Sequence, residues 1–547
     1  MTDQAEDLDH LVRGSWTPSG AADAGLPAHA AKWLRARTGL AERSTPAAPD
    51  SALHVPESTL SPDARALLSN VVGDAGVHIG RSERLGRAGG LSYLDLLRHR
   101  GNGDIAVPDA VVVPADHDEV QRVVEVCSEH RIGIVPFGGG TSVVGGVTAL
   151  RGKLDAVVAL DLHRLDELVS IDPVSRIAVL QAGLTAPHAE RLLAAHGFTL
   201  GHVPQSFERA TIGGFAATRS SGQASAGYGR FEDMVAGVRL AAPRGEWRLG
   251  VAPASAAGPD LRHLVIGSEG TLGVITEVAL RVRPLPEVDR YEGYVLDGWD
   301  KGAEVVRTLA QQRVPVTVMR LSDSTETEVA LALKGGWKTV ALRRYLAARG
   351  IAEPCLLVLG WEAGSTGELS QRRAATLRAL RSTGAVRLGK AAGEAWRHGR
   401  FAGPRQRDAL MDAGVCVETL ETAAYWSTLS ELRTTVRGAL ADSLTGPGVR
   451  PIVACHISHS YETGASLYFT VIVPRDLDDP TGQWQRAKAA ACQAIGSLGT
   501  ITHHHAVGTD HAPYLAAEIG HLGVDVLASL KRTLDPNGVL NPGKLIS

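Results

Sequence analysis

Two mixed α+β domains are predicted for this 547-residue chain, on three observations. From about residue 105 short β-branched runs alternate with helical patterns, a Pro-rich "RPLPE" at 283–287 ends that alternation, and a new set of strands and Arg- and Ala-rich helices follows. With 44% hydrophobic and 21% charged residues and a formal net charge of -3, the chain can bury a large core, and no basic excess points to nucleic acid. The five cysteines are never spaced as CxxC, which argues for a reducing, cytoplasmic setting rather than a disulfide framework or a zinc site. The N-terminus "MTDQAEDLDH" is acidic, and no apolar run approaches the roughly 18 residues of a membrane span. Neither export nor membrane spanning is expected.

The elements follow in order. Residues 1–104 read as an N-terminal extension, mostly helical, with "LPAHAAKWLRARTGL" its clearest helix. Within 105–287, "DAVVVPA", "HDEVQRVVEVCSEHR" and "GIVPFGG" form a β-α-β unit, and "RIAVLQAG", "TAPHAERLLAAHG" and "GVITEVALRVRPLP" continue the alternation. Residues 288–500 hold the strands "VPVTVMRL", "EPCLLVLGW" and "ASLYFTVIV" around helices such as "ELSQRRAATLRALRS", a second α+β domain. Residues 501–547 form a C-terminal segment that opens on "TITHHHAVG".

The strongest local signal is "IVPFGGGTSVVGG" at 134–146. A β-run delivers Gly138, Gly139 and Gly140, then Thr141 and Ser142; backbone free of side chains lets N–H groups approach phosphate oxygens, and the hydroxyls add donors. It lacks the lysine of GxxxxGK[ST] and is not GxGxxG. Two more glycine-rich stretches, "VPQSFERATIGGFAATRSSG" (203–222) and "GSEGTLGVITE" (267–277), lie in the same region.

This ordered trio resembles the vanillyl-alcohol-oxidase (PCMH-type) FAD-binding family. The resemblance implies an FAD-binding domain over 105–287 and a cap, or substrate, domain over 288–500. It places FAD against Pro136, Phe137, Gly138, Gly139, Gly140, Thr141 and Ser142; against Gln205, Ser206, Thr211, Gly213, Gly214, Thr218, Arg219, Ser220 and Ser221; and against Glu269, Gly270, Thr271, Leu272, Gly273, Val274 and Ile275. No covalent attachment is expected, because no histidine stands beside the first glycines.

The cap decides the reaction. Flavin dehydrogenases of D-2-hydroxy acids carry a GDGNxH-like pattern and EHGIG, which together ligate a metal; here Tyr468 and His504 stand at the diagnostic positions. The alkyldihydroxyacetonephosphate synthase family is similar at both points, with a Tyr before a "GA…YF" strand and an HHHxVG triplet, and the resemblance covers nearly the whole chain. It implies exchange of the acyl chain of acyl-dihydroxyacetone phosphate for a fatty alcohol through a flavin N5 adduct, in ether lipid synthesis. By that resemblance Tyr461 shuttles a proton, His503, His504 and His505 are the essential triplet with His504 the base, Arg407 holds the substrate, and Arg320 is a second arginine needed for activity. Guanidinium forks suit a phosphate dianion. No metal site is expected, since successive histidines of an extended segment face opposite ways. A homodimer and peripheral contact with a membrane surface are further expectations. The alternative is an FAD-dependent D-2-hydroxy-acid or alcohol dehydrogenase or oxidase, favoured by the tail "LDPNGVLNPGKL".

Overall fold

The computed structural model describes residues 13–17 and 25–546. In the first domain the β-α-β unit forms as read. Strands Ala110–Val112, Ala156–Asp161 and Ile132–Phe137 run parallel, and helix His117–Glu129 packs Val120, Val123, Val124 and Cys127 onto them. Asp116 caps that helix by accepting from the Glu119 N–H. The sheet begins before the predicted boundary at 105, because Val77–His78 pairs antiparallel with Val111 and Val112. A second, antiparallel sheet of five strands in this domain carries Val274–Arg281 at its centre. The remaining N-terminal region is largely helical, with Ala28–Thr38, Pro62–Val72 and Tyr93–His99 its longer helices.

The cap is a seven-stranded antiparallel sheet in the order Val386–Gly389, Val288–Asp297, Pro354–Ala363, Val318–Ser322, Ile452–Ile457, Gly464–Pro474, Val415–Tyr425. Helices Leu429–Leu444 and Pro480–Ile495 pack Leu432, Val436, Leu440, Trp484 and Ala487 against one face. On the opposite face, helices Ser324–Lys334 and Lys390–Gly399 pack beside the site. The C-terminal segment does not stay with the cap: Leu540 bridges Ile134, and Asn541 donates its N–H to the Ile134 carbonyl. No helix among the described residues is long and apolar enough to cross a membrane.

Candidate active site

A cavity of about 900 Å³ lies between the glycine-rich segments and the cap, whose sheet and helices both line it. The strand Ile132–Phe137 ends at its floor, and the chain leaves it as Gly138–Gly140 with Gly140 at φ +60. A Cβ on Gly139 would run into the carbonyl oxygen of Arg209, and one on Gly138 into the hydroxyl of Thr211, so the loop needs glycine. Among the described residues the N–H groups of 138–142 meet no protein acceptor. Unpaired N–H groups beside a cradle that side chains would fill suit the diphosphate of FAD. Behind them Thr211 caps helix Ile212–Thr218 by accepting from the Gly214 N–H.

Of the predicted cofactor residues, Pro136 to Ser142, Gln205, Ser206, Thr211, Gly213, Gly214, Thr218, Ser220, Ser221, Glu269, Gly270, Gly273 and Ile275 line the cavity. Arg219, Thr271, Leu272 and Val274 do not. Arg219 turns away to pair with Glu232, and the Thr271 hydroxyl donates to the Ser268 carbonyl. Leu272 is buried off the cavity, and Val274 opens a strand whose alternation sends its side chain into the core while Ile275 faces the site. Burial pushes the Glu269 carboxyl up to about 7, against the Val507 and Gly508 N–H groups that it accepts.

The opposite wall belongs to the cap. Strand alternation turns Val417 and Thr419 toward the cavity, with Tyr468 and Thr470 beside them, and Glu421 on the same face. Glu421 is the centre of the histidine site. Its buried carboxylate accepts from the N–H groups of His503 at 2.8 Å, His504 at 2.8 Å and His505 at 2.9 Å, and from the Thr502 hydroxyl at 2.9 Å. Burial works against that charge, but the imidazoles, His504 foremost, hold the carboxyl well below its usual range.

Gathering three successive N–H groups on one carboxylate curls the backbone, and Ala506 completes the turn at φ 73, a left-handed conformation that costs a residue with a Cβ roughly 1 kcal/mol. The triplet is therefore not extended, and the premise for separating its side chains fails. His503 and His504 approach at 2.9 Å between Nδ1 atoms, and ring nitrogens of His459, His503 and His504 all lie within 4.8 Å of one another.

Tyr461 meets His503, not His504. Its hydroxyl lies 2.6 Å from His503 Nε2, and both side chains stand one layer behind the cavity wall. His504 and His505 line the wall. His504 Nδ1 lies 3.4 Å from Glu421 and 2.9 Å from His503 Nδ1, and its ring borders the cavity. The contacts run from His504 through His503 to Tyr461. Burial, reinforced by His504, depresses His503 well below the ordinary histidine value and His505 to about 3, so both rings are neutral. Burial likewise pushes the Tyr461 hydroxyl up, keeping it protonated.

Arg407 and Arg320 both line the cavity. Arg407 donates to Glu418 at 2.9 Å and Arg320 to Glu326 at 2.8 Å, with His456 Nδ1 2.9 Å from the same Glu326 oxygen. Glu418 stands off the cavity behind Arg407, whereas Glu326 lines the cavity beside Arg320, and each carboxylate orients its guanidinium. Glu421, Glu418, Glu326, His456 and His459 were not foreseen. The motifs "VETLET" (417–422) and "CHISHS" (455–460) carry four of them and "DSTETE" (323–328) carries Glu326, but only the tertiary packing shows which residues face the site.

Comparison with known proteins accords with this geometry. Residues 108–249 match the family described as FAD binding domain, and residues 285–545 match that described as FAD linked oxidases, C-terminal domain. The alkyldihydroxyacetonephosphate synthase of Dictyostelium discoideum is 31% identical over 467 residues, 84% of this chain and 76% of that protein. That of Trypanosoma brucei brucei is 30% identical over 476 residues, 85% of this chain and 77% of its own. A solved alkyldihydroxyacetonephosphate synthase structure superposes with a TM-score of 0.83 at 26% identity, covering 99% of both chains. A matched FAD binding domain, a matched C-terminal domain of FAD linked oxidases and relatives aligned along most of their length place the chain, with FAD as its cofactor, in the alkyldihydroxyacetonephosphate synthase family.

Proposed function

We propose that this protein exchanges the acyl chain of acyl-dihydroxyacetone phosphate for a long-chain fatty alcohol, forming the ether lipid precursor and releasing a fatty acid. The observation that carries this reading is the continuity of one cavity from the glycine cradle, past His504, to an apolar wall of Leu331, Leu342, Leu346 and Trp396. A phosphate head, a reacting carbon and a long chain each find a suitable surface in it. Bound FAD supplies covalent catalysis at the reacting carbon without net redox change.

The chain's own residues supply the rest. His504 takes the C1 proton, and the Glu421 carboxylate 3.4 Å from its Nδ1 offsets the charge of the imidazolium that forms, while the contacts through His503 to Tyr461 hold the ring in place. Arg407 and Arg320, aimed by Glu418 and Glu326, bind the phosphate. The apolar wall excludes water, so that the alcohol and not water is the acceptor.

A reducing, cytoplasmic setting is supported by five buried cysteines, none in a disulfide. Helix Gly336–Ala348 supports peripheral membrane contact: Trp337, Val340 and Tyr345 are exposed beside Lys338, Arg343 and Arg344, while Leu342 and Leu346 line the cavity. Cosedimentation with anionic vesicles, lost in Trp337→Glu, tests that contact.

The test of the reaction is direct. Purified protein with palmitoyl-dihydroxyacetone phosphate and hexadecanol should yield the alkyl product and free palmitate, seen by mass spectrometry, with no electron acceptor. Reduction of a dye by lactate or glycolate, with no alkyl product, would install the dehydrogenase reading instead.

A further inference from the structure

The glycine cradle is closed from behind by a residue far from it in sequence. Arg13 is 3% exposed, and its Nη2 donates to the carbonyls of Gly89, Gly90 and Gly140 at 2.6, 2.9 and 2.7 Å. Its Nη1 lies 2.6 Å from where a Cβ of Gly140 would stand, and the guanidinium carbon sits 5.5 Å from the centre of the Phe137 ring. Nη1 and Nε are buried and have no partner among the described residues. Asp95, the one acid acting on Arg13 among the described residues, is already engaged by Ser92 and Arg98. Burial, and then the like charges of Arg209 and Arg87, pull Arg13 down to about 9. A buried cation with idle N–H groups is costly unless an anion arrives.

We infer that Arg13 is a positioning residue for the FAD diphosphate: it draws the carbonyls of the two glycine turns backward, so that the loop N–H groups face the phosphates, and supplies positive charge that bound cofactor offsets. The inference rests on the FAD-binding reading of the cradle. It also gives residues 13–17 a role. Ser15 and Thr17 donate from their hydroxyls to Asp408 at 2.7 and 2.6 Å, next to Arg407 on the cap, and Trp16 lines the cavity. The segment ties the cofactor loop to the substrate side.

The test uses full-length protein, stripped of flavin and retitrated with FAD and with riboflavin, following flavin fluorescence. Hydrogen bonds to a charged group contribute about 1.5–3 kcal/mol, so Arg13→Met should weaken FAD about 10- to 100-fold. Riboflavin, which has no phosphate, should bind within about twofold of wild type. Arg13→Lys retains the charge and should recover most of the FAD affinity, with raised salt weakening FAD more in wild type than in Arg13→Met. Equal losses for FAD and riboflavin, or Arg13→Lys as poor as Arg13→Met, would overturn the inference. Unaltered FAD affinity in Arg13→Met would also overturn it. Absence of FAD binding by wild-type protein would instead refute the cradle itself, a distinguishable failure.

Discussion

The two walls of the cavity are built on different principles. The cofactor wall is backbone: Gly138–Gly140 present N–H groups and no side chains, and a methyl group at Gly139 has nowhere to go. The cap wall is side chain: His503, His504, Tyr461 and Glu421 come from strands and turns up to 83 residues apart and are held by hydrogen bonds near 2.8 Å. A backbone site fails through steric intrusion and a side-chain site through loss of one functional group. Substitutions should therefore separate cofactor binding from chemistry.

The largest effect is expected at the cradle. Gly139→Ala, and more severely Gly139→Asp with its added charge, should yield folded protein without visible flavin absorbance and without turnover. Stoichiometric flavin in either variant would refute the cradle's steric basis.

His504→Ala should spare FAD and lower turnover about 10²–10⁴-fold, the usual contribution of a general base. Hydrogen exchange at the substrate C1 should fall in parallel. Chelators should leave the wild type active; if they abolish activity while His504→Ala retains it, the His459, His503 and His504 nitrogens hold a metal instead.

Tyr461→Phe removes only the hydroxyl 2.6 Å from His503 Nε2 and should slow turnover by a smaller factor, about 10²-fold at most, with flavin content unchanged. Wild-type rates would show that the base does not depend on Tyr461.

Glu421→Gln keeps the shape but replaces an acceptor oxygen by an NH₂ group facing backbone N–H donors. Stability in urea should fall by about 1–3 kcal/mol, with flavin retained. No change in the unfolding midpoint would mean that the triplet's curl does not depend on this carboxylate.

The smallest effect is graded with pH. His505 and His202 are both held at about 3 in the folded protein, by burial first and then by His504. Below the unfolded value of about 6.5 the unfolded chain binds more protons, so stability present above that pH is lost as pH falls toward 3. Each buried histidine should contribute a slope of about 1.4 kcal/mol per pH unit, measurable by denaturant titration between pH 6.5 and 5. A flat profile would show water reaching these rings.

Much of the cofactor wall was legible because its requirements are local. "FGGGTS" following a β-run states its own backbone geometry, and the β-α-β spacing around it forms as expected. Inside one motif the reading was coarser. Glu269 to Ile275 were assigned together, whereas strand alternation divides Ile275 from Val274 and leaves Thr271 and Leu272 off the cavity. Residues 13–17, which contribute Arg13 and Trp16, show no motif in the sequence.

The sequence by itself determined the two α+β domains, the glycine cradle and the residue types of the histidine site, since propensity, periodicity and resemblance act through short stretches. Tertiary structure alone decided that Tyr461 joins His503 rather than His504, that Glu421 curls the triplet, that Glu418 and Glu326 aim the arginines, and that Arg13 backs the cradle. Those pairings depend on strand register and on contacts across as many as 127 residues, where a shift of one position would turn each side chain to the opposite face.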